Sequence, residues 1–161
     1  MKRVVDFLML AIISSFGLIG CQTSSEEQSA SGPYDLYEGY LIIDGEQLII
    51  NDFKFIDLAD QYWIDTLGLT AEDMPNGYYI YDDSDELLTF TLSEETRYNF
   101  YDTGAKFLSE DNIDRLYTTD KLAEFLEKFD EDSDGDLGKT PFEVQVFEDG
   151  RVISISEIFI N

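Results

Sequence analysis

Histidine is absent from this sequence, which also has a single cysteine, Cys21, and a single tryptophan, Trp63. Without histidine there is no Ser-His or Cys-His nucleophile pair and no histidine-bearing zinc site. With one cysteine there is no intramolecular disulfide. Ser-x-x-Lys, P-loop and G-x-G-x-x-G patterns are missing too, and with them the acyl-transfer and nucleotide chemistries they carry. Basic residues are scarce: 10 Lys and Arg stand against 35 Asp and Glu. Such a surface repels nucleic acid and attracts cations and basic proteins. The enzyme chemistry left is carboxylate-based, as in glycan hydrolysis, where two carboxyls sit at a set separation. No motif singles out such a pair, and the chain reads as a non-enzyme.

Long apolar runs are equally scarce. The longest apolar stretch, Phe7 to Gly20, carries no charge and falls short of the about 20 apolar residues a spanning helix needs. Behind the basic Lys2-Arg3 it fits the apolar part of a secretory signal peptide. Leu18-Ile19-Gly20-Cys21 then resembles the lipobox of bacterial lipoproteins. That resemblance implies cleavage before Cys21, a diacylglyceryl group and palmitate on that residue, and anchoring at the extracytoplasmic face of the cell membrane. Two acyl chains hold stably where one is marginal. The expected organisation is a signal peptide over 1–20, the lipidated Cys21 with a Ser- and Glu-rich tether over 21–36, and one globular domain over 37–161. Loss of residues 1–20 removes Lys2, Arg3 and Asp6, leaving 8 basic against 34 acidic residues, a net charge of −26.

Within the domain, alternation of apolar and polar residues predicts strands at Tyr40–Ile43 and Gln47–Phe55, joined at Asp44-Gly45. Further strands are predicted at Gly77–Asp82, Glu86–Leu92 and Thr96–Asp102, and a final hairpin at Phe142–Phe147 and Val152–Ile160. A change of apolar face between Ile155 and Ile158 predicts a bulge near Ser156-Glu157. Helices are expected at Leu58–Leu67, stopped by Gly68, and at Asp120–Phe129, capped by Thr119, with a stripe of Leu122, Phe125, Leu126 and Phe129. Thr103 to Tyr117 reads as loop. The fold class is therefore α+β, mainly β: a small antiparallel barrel or curved sheet, OB-like, of about seven strands and two helices.

The most specific chemical pattern follows the second helix. Asp130, Asp132 and Asp134 occupy the first, third and fifth places of an EF-hand loop, with Gly135 at the sixth and the Asp136 carbonyl at the seventh. The twelfth place, where a bidentate Glu belongs, is Pro141, and Glu143 is the nearest carboxylate able to replace it. The pattern has two readings: a weak structural Ca²⁺ site, or a solvated acidic turn. A second cluster, Asp82, Asp83, Asp85 and Glu86, reads as a hairpin tip. Tyr78, Tyr79, Tyr81, Tyr98 and Tyr101 either fill the core or floor a sugar- or peptide-binding groove. Lys54, Arg97 and Arg151 lie on strands, where carboxylate partners are expected.

Asn76 to Ile80 (NGYYI), the helix after Thr118-Thr119-Asp120, and Pro141 to Glu157 resemble segments of small secreted or lipid-anchored bacterial proteins. The resemblance covers most of residues 38–161, implies the fold and the location, and supplies no catalytic residue. The expectation is a monomeric, lipid-anchored binding module for an envelope component. A carboxylate-dependent hydrolase of envelope glycans and an acidic inhibitor of a basic envelope protein are the alternatives.

Overall fold

The computed structural model describes residues 33–84, 86–129 and 136–160. β1 (Tyr34–Asp44) and β2 (Gln47–Asp57) pair antiparallel around a two-residue turn, Gly45-Glu46. Gly45 takes a φ of 61°, which fits glycine at the first central position of a tight hairpin. α1 (Gln61–Leu67) stops at Gly68, whose N–H returns to the Ile64 carbonyl. β3 (Tyr78–Tyr81), β4 (Leu87–Thr91), β5 (Arg97–Tyr101) and β6 (Leu116–Thr119) follow, then α2 (Leu122–Lys128), β7 (Phe142–Phe147) and β8 (Val152–Glu157).

All eight strands form one sheet in the order β3-β2-β1-β7-β8-β5-β6, with β4 beside β2. One edge of the long β2 serves two partners, β4 along Gln47–Asn51 and β3 along Lys54–Asp57. The sheet curls until Thr91, ending β4, forms a parallel bridge with Arg151 beside the start of β8. That single bridge joins the end of β4 to the residue before β8, and the sheet is curved and mainly antiparallel but open. β5 continues along β8 in parallel.

Period-two alternation fills the interior. Phe142, Val144 and Val146 of β7 point inward, as do Tyr98 and Phe100 of β5 and Leu48 and Ile50 of β2. α2 adds Phe125 and Phe129, whose rings pack on Phe142 and Phe100. Gly39 lets β1 and β2 approach: a Cβ there would lie 2.5 Å from both the Asn51 carbonyl oxygen and Ile50 Cγ2. Among the described residues no helix is long and apolar enough to cross a membrane.

Several boundaries differ from the sequence expectation. Tyr34, Asp35 and Leu36 belong to β1 and not to the tether, because they pair with Phe147, Val146 and Gln145. β6 is an eighth strand where loop and helix cap were expected, and it is held by β5. Thr119 ends that strand, so α2 begins at Leu122. The Thr119 hydroxyl accepts the Lys121 N–H at 3.1 Å and donates to Glu124 at 2.8 Å. Leu126 stays 38% exposed, outside the apolar stripe. The bulge does lie on β8, but at Ile153, which is skipped between Val152 (opposite Val146) and Ser154 (opposite Gln145), and not near Ser156-Glu157. β8 ends at Glu157, after which the Ile158 N–H turns to the Pro141 carbonyl. β3 and β4 are not a hairpin, since each pairs with β2.

Candidate functional site

β2 changes its buried face partway along. Leu48 and Ile50 face the main core, and the next buried positions are Phe53 and Ile56, a spacing of three. Phe53, Ile56 and Met74 are buried apart from the main cluster, and the Phe53 ring meets Tyr40 at 4.8 Å. The helix α1 brings Trp63 to within 6.2 Å of Tyr81 on β3.

A cleft of about 280 Å³ lies where these pieces meet. Phe53, Trp63 and Tyr81 supply its aromatic wall, and Glu38, Asp52, Lys54 and Asp83 supply its polar groups. The hairpin register sets Glu38 of β1 opposite Phe53 of β2. Glu38 Oε2 accepts from Lys54 Nζ at 2.7 Å and from the Phe55 N–H at 3.0 Å. Burial pushes the Asp52 carboxyl up. The Glu38 backbone N–H offsets part of this, while the negative charges of Glu38, Asp83 and Asp82 reinforce it. Burial likewise raises the Tyr40 phenol, with Tyr78 and Asp82 adding to the effect.

The cleft therefore offers ring faces, an ammonium donor and several carboxylate acceptors. A half-buried carboxyl drawn toward its protonated form sits near a second carboxylate, as acid–base work requires. Glu38, however, has one oxygen already bound to two donors. The set is better arranged to hold hydrogen-bonding groups than to deliver a nucleophile.

The residues singled out by sequence fall elsewhere. Cys21, Asp130, Asp132 and Asp134, with the signal peptide and most of the tether, lie outside the described residues. Asp136 is engaged at both ends. Its carboxylate accepts from Gly138 N–H at 2.8 Å and Lys139 Nζ at 2.7 Å, and its carbonyl accepts from the Lys139 and Thr140 N–H groups. The Lys139 and Gly138 bonds hold that carboxyl below the usual range. Glu143 is the second residue of β7, opposite Glu38 on one side and Ser156 on the other. Among the described residues no three acidic side chains gather as a metal site.

The supposed hairpin tip borders the cleft through Asp83, while Asp82 accepts from Asn51 Nδ2 at 3.3 Å. The tyrosines divide. Tyr98 is core, Tyr81 lines the cleft, Tyr78 stacks on Phe55, and Tyr101 leans on Phe159. Lys54, Arg97 and Arg151 all find carboxylates, respectively Glu38, Asp120, and Asp149 with Glu95. Sequence reasoning missed Glu38, Asp52 and Trp63 as site residues. Extending the hairpin register back from the turn would have set Glu38 beside Phe53 and Lys54.

Compared with protein families, with curated proteins and with solved structures, the chain matches none.

Proposed function

We propose that this protein is a lipid-anchored, non-enzymatic binding module at the extracytoplasmic face of a membrane, and that it holds a neutral envelope glycan in the Trp63 cleft. The observation that carries this reading is the meeting of an aromatic wall with both donors and acceptors in one cleft. A sugar presents an apolar ring face and a rim of hydroxyls, each able to donate and accept. Trp63 and Tyr81 suit the face, and Lys54, Asp52 and Asp83 suit the rim. The lipobox resemblance at Cys21 supports the anchor, and the uncovered mouth of the cleft suits a ligand that extends beyond it.

Trp63 is the only tryptophan, so its fluorescence reports on the cleft directly. Titration with soluble envelope oligosaccharides is expected to shift its emission saturably, and Tyr81→Ala to weaken that binding about tenfold. If no glycan moves the emission, the reading fails. Asp52 and Glu38 together favour a hydrolase as the second reading. Release of reducing ends, lost in Asp52→Asn while binding persists, would establish it in place of simple binding.

A further inference from the structure

A second cavity, of about 230 Å³, lies between the β1–β2 turn, the corner from β4 to β5, and the start of α2. Its walls include Leu92, Leu122 and Tyr98, and its rim includes Glu46, Glu94 and Asp120. This volume is below the roughly 300–1,000 Å³ of pockets for drug-sized ligands, so it fits a side chain or a small amine.

Tyr98 sets the chemistry. It is 1% exposed, with its ring 5.0 Å from Phe125, yet its hydroxyl makes no hydrogen bond to any described residue. No side-chain oxygen or nitrogen fully shut off from solvent lacks a partner among the described residues. The exposed sliver of Tyr98 therefore includes that oxygen, at the cavity wall. Burial raises the phenol to about 12, so it remains neutral at ordinary pH. At the rim, Asp120 is shared with Arg97 at 3.5 Å, while neither Glu46 nor Glu94 pairs with a described cation. An anion is repelled here, and a purely apolar group would leave the Tyr98 oxygen unanswered.

We propose that this cavity binds an alkylammonium group, either the end of a partner's lysine side chain or a free diamine. Its methylene stem packs on Leu92, Leu122 and the Tyr98 ring. Its three N–H donors meet the Tyr98 oxygen and the Glu46 and Glu94 carboxylates.

The test is a titration of the full chain in detergent micelles with n-butylammonium, with n-butanol as the neutral control. Methyl resonances of Leu92 and Leu122 locate the ligand, and calorimetry gives its affinity. The expected result is saturable binding that weakens with salt, with butanol at least about tenfold weaker. Tyr98→Phe should weaken the ammonium several-fold with an unchanged melting temperature. Glu46→Gln/Glu94→Gln, at the exposed rim, should weaken it about tenfold and flatten the salt dependence. Silent methyls, or parental affinity in both variants, overturn the proposal. A lysine peptide binding more tightly than cadaverine, and failing when its lysine is acetylated, assigns the partner side chain, and the reverse order assigns the diamine. Trp63 emission should stay constant throughout, which separates this cavity from the glycan cleft.

Discussion

Asp102 is the residue on which the segment between β5 and β6 depends. Its carboxylate is 1% exposed and accepts the backbone N–H groups of Lys106, Phe107 and Leu108. Its own backbone N–H donates to the Arg115 carbonyl, and the Arg115 guanidinium donates to the Asp102 and Ser109 carbonyls. Burial alone would raise this carboxyl. The N–H groups of Leu108, Lys106 and Phe107, with Arg115, outweigh it and hold the group below the usual range. The same bonds hold Ala105 and Arg115 at φ of 53° and 58°, conformations that cost non-glycine residues energy. Asp102→Ala is expected to destabilise the fold by about 3 kcal/mol, read from the urea midpoint at constant slope.

Glu124 gives a sharper pH signature. Bonds from Lys121, Thr119 and Tyr117 bring its carboxyl to about 2. A folded value below the unfolded one means the stabilisation is complete above the unfolded pKa and is lost as pH falls through the folded one. Melting temperature should therefore decline as pH falls from about 4.5 to about 2. Glu124→Gln should remove its share of that decline while Asp102 retains its own.

At the scale of elements, the close passage of β1 over β2 depends on Gly39. The groups a Cβ would strike include a backbone carbonyl, which cannot step aside as a side-chain tip can. Gly39→Ala is expected to cost about 1–3 kcal/mol in chemical denaturation. Leu126→Ala, on the exposed side of α2, should cost far less. The strands that alternate cleanly were legible in sequence, notably Tyr98 with Phe100 and Phe142 with Val144 and Val146. Gly68 marked its helix end correctly. What escaped depends on distant partners. Tyr34 to Leu36 are strand only because β7 lies beside them. β6 is too short to show a period, and β3 and β4 look like a hairpin until both are seen on β2. The cleft was hidden for the same reason, since Glu38, Asp52, Trp63 and Asp83 converge through pairing and not through spacing.

For the whole molecule, charge dominates. A net charge of −25 strains the compact state by self-repulsion, so added NaCl should raise the melting temperature. Calcium provides a separate comparison. The carboxylate and carbonyl of Asp136 are already bonded, and Glu143 faces Glu38 and Ser156. At matched ionic strength, millimolar calcium is therefore expected to add nothing beyond the salt effect. A further rise abolished by Asp132→Asn/Asp134→Asn would establish the metal site.

β1 also has a mechanical consequence. A pull from a lipid at Cys21 would enter the domain at Tyr34 and reach the cleft at Glu38 along the same strand. β1 is bonded to β7 from Tyr34 to Gly39 and to β2 from Glu38 to Asp44, so the tension loads the β7 ladder in shear first and both ladders where they overlap at Glu38 and Gly39. Rungs loaded side by side share a force that an unzipping hairpin would meet one at a time. If the chain is anchored as proposed, a tug on a bound ligand is thus resisted by strand pairing in shear.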